Sequence, residues 1–205
     1  MLGAVVIAGP LLSACGLGPM VLPQPFSLSR AHFDGVSAGR DASVDEFLPW
    51  AEDQDEIIIV DKVSRKLVLY RHGEPKRTYA VVLGRNPGRK RFEGDRRTPS
   101  GLYHITSKNA HSRYGRFMAI NYPNDADIGE YQTALTGRPN ASILGHGSRG
   151  PGGLIGIHGS DKEDFNRLGI NWTFGCVSLT NRDVEELYRE VGEGTPVLIR
   201  DDQQP

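Results

Sequence analysis

The chain has 205 residues, of which 38% are hydrophobic and 24% charged, with 25 Gly and 13 Pro. Gly plus Pro stays below the ~25–30% that marks low-complexity disorder, and no apolar run reaches the ~18–20 residues that span a bilayer, so disordered, collagen-like and polytopic membrane classes are excluded. A formal net charge of −1 supplies no broad positive field, which argues against a nucleic-acid partner.

Residues 2–12, LGAVVIAGPLL, form an apolar run of signal-sequence length. The run ends in Leu12-Ser13-Ala14-Cys15, which resembles a bacterial lipobox. That resemblance implies cleavage before Cys15, export, and diacylation of Cys15 as an anchor to the membrane. The only basic group in the n-region is the terminal amine. On this reading residues 1–14 are a signal peptide, residues 15–54 a tether rich in Pro at its start, and residues 55–201 one domain in the periplasm or cell envelope. A short helix is predicted around Val44–Trp50.

Within the domain, the β-branched run Ile57-Ile58-Ile59-Val60 predicts a strand, followed by Lys66–Arg71 and Thr78–Leu83, with His72-Gly73 as a hairpin turn. Gly84–Arg97 holds six basic residues in fourteen. It is either a solvated loop or a basic rim that attracts a carboxylate-bearing substrate. Leu102–Thr106 and Phe117–Tyr122 read as strands, Asp127–Leu135 as a short helix, and Gly152–His158 as a buried, Gly-rich strand. Asn181–Val191 carries Val184, Leu187, Tyr188 and Val191 on one helical face, with Thr180 or Asn181 as cap; Thr195–Ile199 closes the domain as a strand. The fold expected is mainly β (α+β), a β-sandwich of mixed sheets with one or two short helices, one of them directly after Cys176.

There are two cysteines, Cys15 and Cys176. They pair in a disulfide, or Cys15 is lipidated and Cys176 is the sole thiol of the mature domain. Six His and two Cys are scattered without metal-ligand spacing, so no metal and no cofactor are expected. Cys176 follows Gly175, whose conformational freedom lets consecutive amides point into one space; the amides of Gly175 and Cys176 are candidate oxyanion donors. The bland alternative is a core strand with Cys176 as filler. His158 ends the run Gly152–Ile157 and precedes Gly159-Ser160, a position from which an imidazole can deprotonate a thiol. Gly145-His146-Gly147-Ser148 nearly duplicates that local pattern. His158 is preferred because a strand positions a base better than a loop does. His146 remains a second base or a substrate contact.

His158-Gly159-Ser160, then Thr173-Phe174-Gly175-Cys176-Val177, resembles the L,D-transpeptidase catalytic (YkuD-type) domain, which pairs an HG(T/S) segment with an (S/T)HGC(I/V) segment. The stretch from Ile57 to Gly84 looks like that family's opening strands, and Thr98-Pro99-Ser100-Gly101-Leu102-Tyr103 like its TPxGxY turn. Asn171-Trp172-Thr173 looks closer to the YafK-like branch. Phe174 departs from the pattern, standing where many members carry a second His. The resemblance implies a peptidoglycan enzyme. Cys176 would attack the bond between diaminopimelate and D-Ala of a stem peptide, giving a thioester acyl-enzyme, with His158 as base. Trp172 and Thr173 would line the acyl site, or Trp172 would serve the core; Gly159 and Ser160 are further substrate contacts. The acceptor is an amine in a transpeptidase and water in a carboxypeptidase or amidase. A non-enzymatic peptidoglycan-binding module is the third reading.

Overall fold

The computed structural model describes residues 54–136 and 150–201. Ile57, Ile58, Ile59 and Val60 are all buried at the centre of β1 (Glu56–Asp61), as a continuous β-branched run requires when both faces of a strand are covered. β2 (Lys66–Arg71) pairs antiparallel with β1, and β3 (Glu74–Ala80) antiparallel with β2. His72 and Gly73 join β2 to β3 with φ of 50° and 76°, the two positive values of a type I′ hairpin turn. The strand predicted at Thr78–Leu83 starts earlier and ends earlier. Residues Glu74–Thr78 are exposed and polar, so backbone pairing alone builds that part of β3, and no apolar periodicity marks it.

β8 (Pro196–Arg200) lies between β1, to which it is parallel, and β4 (Gly101–Ser112), to which it is antiparallel. The first four residues of β4 pair with β8, and the remainder pairs with β5 (Gly115–Ile120). Register shifts in the β4–β5 ladder mark where β4 passes from one half of the sheet to the other. β6 (Gly156–His158) then pairs antiparallel with β5, and β7 (Val177–Ser178) parallel with β6, giving the order β3-β2-β1-β8-β4-β5-β6-β7. Val82 bridges to Ser178 and Gly84 to Thr173, so the chain leaving β3 meets the β7 end and the mixed sheet curls back on itself. One apolar cluster draws on both halves, from Ile58, Leu69 and Ile199 to Met118, Ile157 and Leu179.

Among the described residues, three short helices accompany the sheet. α1 (Asp125–Thr136) starts with a reciprocal cap: the Asp127 amide donates to Asn124 Oδ1, and the Asn124 amide to Asp127 Oδ2. α2 (Glu163–Arg167) is five residues long, too short to leave a periodic signal, and was not expected. α3 (Asn181–Glu190) follows Cys176 closely, as predicted. Thr180 is its cap, accepting from the Asp183 amide at 3.2 Å, and Val184 and Leu187 are buried beneath it.

The predicted strand Gly152–His158 requires correction, because only Gly156–His158 is strand. Gly150, Gly152 and Leu154 have φ of 92°, 88° and 57°, which no strand accommodates, and Leu154 is 93% exposed. The predicted signal peptide, tether, Val44–Trp50 helix, Cys15 and His146 lie outside the described residues. No helix among the described residues is long and apolar enough to cross a membrane.

Candidate active site

The register of β6 and β7 decides where the two predicted chemical groups stand relative to each other. Ile157 pairs with Val177 and His158 with Ser178. One step back along the same register sets Cys176 beside Gly156. Alternation along strands then puts His158, Ser178, Gly156 and Cys176 on one face. From strand spacing and rise, the backbones of His158 and Cys176 stand about 8 Å apart on that face. A Cβ at Gly156 would come within 2.7 Å of Phe117 Cζ and 2.5 Å of the Met118 carbonyl oxygen, so only glycine fits between them.

His158 is buried against aromatic rings. Tyr114 stacks on it at 4.5 Å between centroids, Phe117 lies at 5.9 Å, and Trp172 meets it edge-on at 5.9 Å. Nδ1 lies 2.5 Å from the Gly159 carbonyl oxygen. A carbonyl only accepts, so Nδ1 carries the proton and Nε2 keeps its lone pair. Burial lowers the imidazole pKa below its ordinary 6.5, outweighing the opposing pull of the Gly159 carbonyl and Asp161. The ring is therefore neutral at pH 7 and competent as a base.

A chain of buried hydrogen bonds fixes that carbonyl. Ser178 Oγ donates to the Gly159 oxygen at 2.9 Å, Asn166 Nδ2 donates to Ser178 Oγ at 3.0 Å, and Trp172 Nε1 donates to Asn166 Oδ1 at 2.9 Å. The series runs from indole to amide to hydroxyl to the carbonyl that holds the imidazole, with no member left unpaired.

Cys176 is partly exposed as a residue, while its sulfur sits low in the site and donates weakly to the Leu154 carbonyl at 3.5 Å. Burial pushes the thiol up to about 11, against the Gly156 amide and the Lys90 charge, which favour the thiolate. With thiol pKa raised and imidazole pKa lowered, the resting pair is neutral.

Gly175 holds φ at +139°, and a Cβ there would lie 2.8 Å from the Arg97 carbonyl oxygen and 2.9 Å from Ile155 Cδ1. Its amide donates to Thr173 Oγ1 at 3.2 Å, and Thr173 Oγ1 donates to the Cys176 carbonyl at 2.7 Å. The Gly175 amide, a candidate oxyanion donor, is thus engaged by Thr173 in this structure, and the residue contributes its backbone shape as well.

Four of the predicted substrate contacts lie among the described residues. Trp172, Thr173, Gly159 and Ser160 are all buried. Trp172 and Thr173 spend their polar atoms as described above. A Cβ at Gly159 would meet Asn181 Oδ1 and the Tyr114 carbonyl. Ser160 is clasped by Asn181, receives the Lys162 amide on Oγ, and leads into α2. These four residues shape the site from beneath. Asn166, Ser178, Tyr114 and Phe117 escaped sequence reasoning; for Ser178, its position two residues beyond Cys176 on a strand was the available signal. Among the described residues, no group of three or more His, Cys, Asp or Glu side chains is placed to hold a metal ion.

A curled, mainly β domain that presents a thiol and a neutral imidazole from adjacent strands defines the class of architecture. The chain belongs to the YkuD family, the L,D-transpeptidase catalytic domain, whose sequence profile matches residues 55–199. It is 26% identical over 151 residues to the Bacillus subtilis (strain 168) protein named "Putative L,D-transpeptidase YqjB", covering 73% of this chain and 74% of that one. Among solved structures, it is similar to the helical cell shape determining protein Pgp2 of Campylobacter jejuni, with TM-score 0.53 and 24% identity over 79% of this chain and 56% of that one. It is also similar to Bd1075 of Bdellovibrio bacteriovorus, with TM-score 0.50 and 23% identity over 72% and 48%. The chain thus spans about half the length of these two structures, and the likeness is one of fold. Family membership supports a peptidoglycan-modifying activity.

Proposed function

We propose that the protein is a cysteine-dependent L,D-transpeptidase acting on peptidoglycan stem peptides. The observation that carries this reading is the neutral pair on one face of β6 and β7, with Nδ1 of His158 committed to Gly159 and Nε2 left to receive a proton. Cys176 Sγ bonds to the carbonyl carbon between diaminopimelate and D-Ala as its proton passes to His158 Nε2. The amide of Cys176 itself faces the oxyanion. Collapse breaks the C–N bond, the imidazolium returns the proton to the departing amine, and D-Ala leaves behind a thioester. An acceptor amine then attacks the thioester, His158 takes its proton, and Sγ leaves and is reprotonated. Water in place of the amine makes the same acyl-enzyme a carboxypeptidase. Leu154, almost fully exposed with its carbonyl on Sγ, forms an apolar lip for the donor. Export and a lipid anchor at Cys15 would put the domain beside its polymer.

The test incubates the protein with purified sacculi and muropeptides and reads products by mass spectrometry, with Cys176→Ala as control. Dimers joined between two diaminopimelates are expected from the wild type alone; tripeptides alone would assign the hydrolase, and matching products from both proteins would refute the enzyme.

A further inference from the structure

In the basic segment between β3 and β4, Arg89 and Lys90 are held in ion pairs, whereas Arg85, Arg91, Arg96 and Arg97 are in none among the described residues. Arg89 pairs with Glu130 at 2.7 Å, and buried Lys90 with Asp95 at 2.9 Å. Asp95 also accepts from the amides of Arg91, Phe92 and Arg97, so its carboxylate is fully used inside the loop. Arg85 and Arg96 have no ion pair among the described residues, and both are exposed. Their guanidinium carbons lie 5.9 and 5.4 Å from the centroid of the same ring, Phe174. Phe174 is 65% exposed and stands two residues before Cys176.

The fold builds this arrangement onto the turn that carries the sulfur. The Arg85 amide donates to the Thr173 carbonyl at 3.2 Å, and Arg85 Nε to the Trp172 carbonyl at 3.3 Å. The Asn86 amide donates to the Arg96 carbonyl at 3.0 Å, tying the two ends of the loop together. Arg96 has φ of 57°, and the Arg97 carbonyl packs under Gly175. Two unpaired guanidiniums are thereby held at an aromatic face, within about 7 Å of chain from the sulfur.

We propose that Arg85, Arg96 and Phe174 form an anion subsite for the free C-terminal carboxylate of the donor peptide. This rests on the transpeptidase reading for its ligand. In a donor ending in D-Ala, the carboxylate is two bonds from the scissile nitrogen, so it reaches a site flanking the nucleophile. Guanidinium forks match a carboxylate bidentately, and the ring limits how far they stray. The subsite selects donors with a free terminus and releases the carboxylate together with the leaving amino acid.

Two measurements on the full chain test it, comparing wild type, the Arg85→Gln/Arg96→Gln double variant, and Arg91→Gln from the same loop. The first is the ratio of kcat/KM for a D-Ala-terminated tetrapeptide over its C-terminal carboxamide. Wild type and Arg91→Gln should favour the acid by about tenfold or more, and the double variant should bring the ratio near one. The second needs no turnover: alkylation of Cys176 by iodoacetate against iodoacetamide, followed by peptide mapping. The anionic reagent should lose several-fold relative to the neutral one in the double variant alone. If either ratio is unmoved by the double substitution, the subsite is wrong, and normal turnover in that case leaves the transpeptidase reading intact. If no stem peptide is turned over but the alkylation ratio falls, the anion site stands and the transpeptidase reading fails.

Discussion

The two halves of the sheet are stabilised in different ways. Along β1, β2 and β8 every buried side chain is apolar, and strands of five or six residues pair along their lengths. At the other end β6 and β7 are three and two residues long, and they bury His158 and Ser178, with Asn166 beside them. Burial of hydrocarbon tolerates local error, because its energy scales with area and neighbours relax. A buried hydrogen-bond series does not, since each deletion leaves an orphaned partner. The apolar half supplies the stability on which the polar half depends for its geometry.

Substitutions should separate these roles. The largest effect belongs to the imidazole: His158→Ala should lower turnover about 10²- to 10⁴-fold, measured on stem peptides, while His146→Ala does far less. Equal losses would make His146 as strong a candidate for the base as His158. In the apolar half, Leu69→Ala removes a fully buried side chain and should cost about 2–5 kcal/mol in denaturant melts. Its turnover per folded molecule should match wild type.

Asn166→Ala should do the opposite. It strands Trp172 Nε1 and frees Ser178 Oγ, costing about 1–3 kcal/mol. Because it loosens the carbonyl that orients His158, kcat should fall on the order of tenfold with KM held. A purely structural Asn166 would leave kcat per folded molecule unchanged.

The smallest effect is on stability against pH. His158 has a native pKa below its unfolded value near 6.5, so the unfolded chain binds more protons in that interval. Its neutral form is fully accommodated above pH 6.5, and stability falls as pH drops through the interval. Thermal melts from pH 7.5 to 5 should show this slope, and His158→Gln should flatten it. A slope identical in both proteins would place the titration elsewhere.

The legibility of these regions follows from the same contrast. The β1, β2 and α3 patterns were readable because area burial writes itself as runs and periods, such as Ile57–Val60 and Val184–Leu187. β3 was misjudged because its first residues are exposed, and the strand at Gly152–His158 because apolar composition outweighed two positive φ values, at Gly152 and Leu154, that sequence does not display. His158 and Cys176 stood out by residue type and spacing, yet nothing local tied Asn166 to either.

By itself the sequence determined the buried runs of β1, β2 and α3, most of the segments that become strands, and the two residue types, His158 and Cys176, on which the proposed chemistry rests. Only the tertiary structure decided that Trp172 reaches His158 through Asn166, Ser178 and the Gly159 carbonyl, and that Arg85 and Arg96 meet at Phe174. Hydrophobic burial depends on composition along one segment, whereas each of these contacts is a directional bond or ring contact between atoms that the chain keeps apart until it folds.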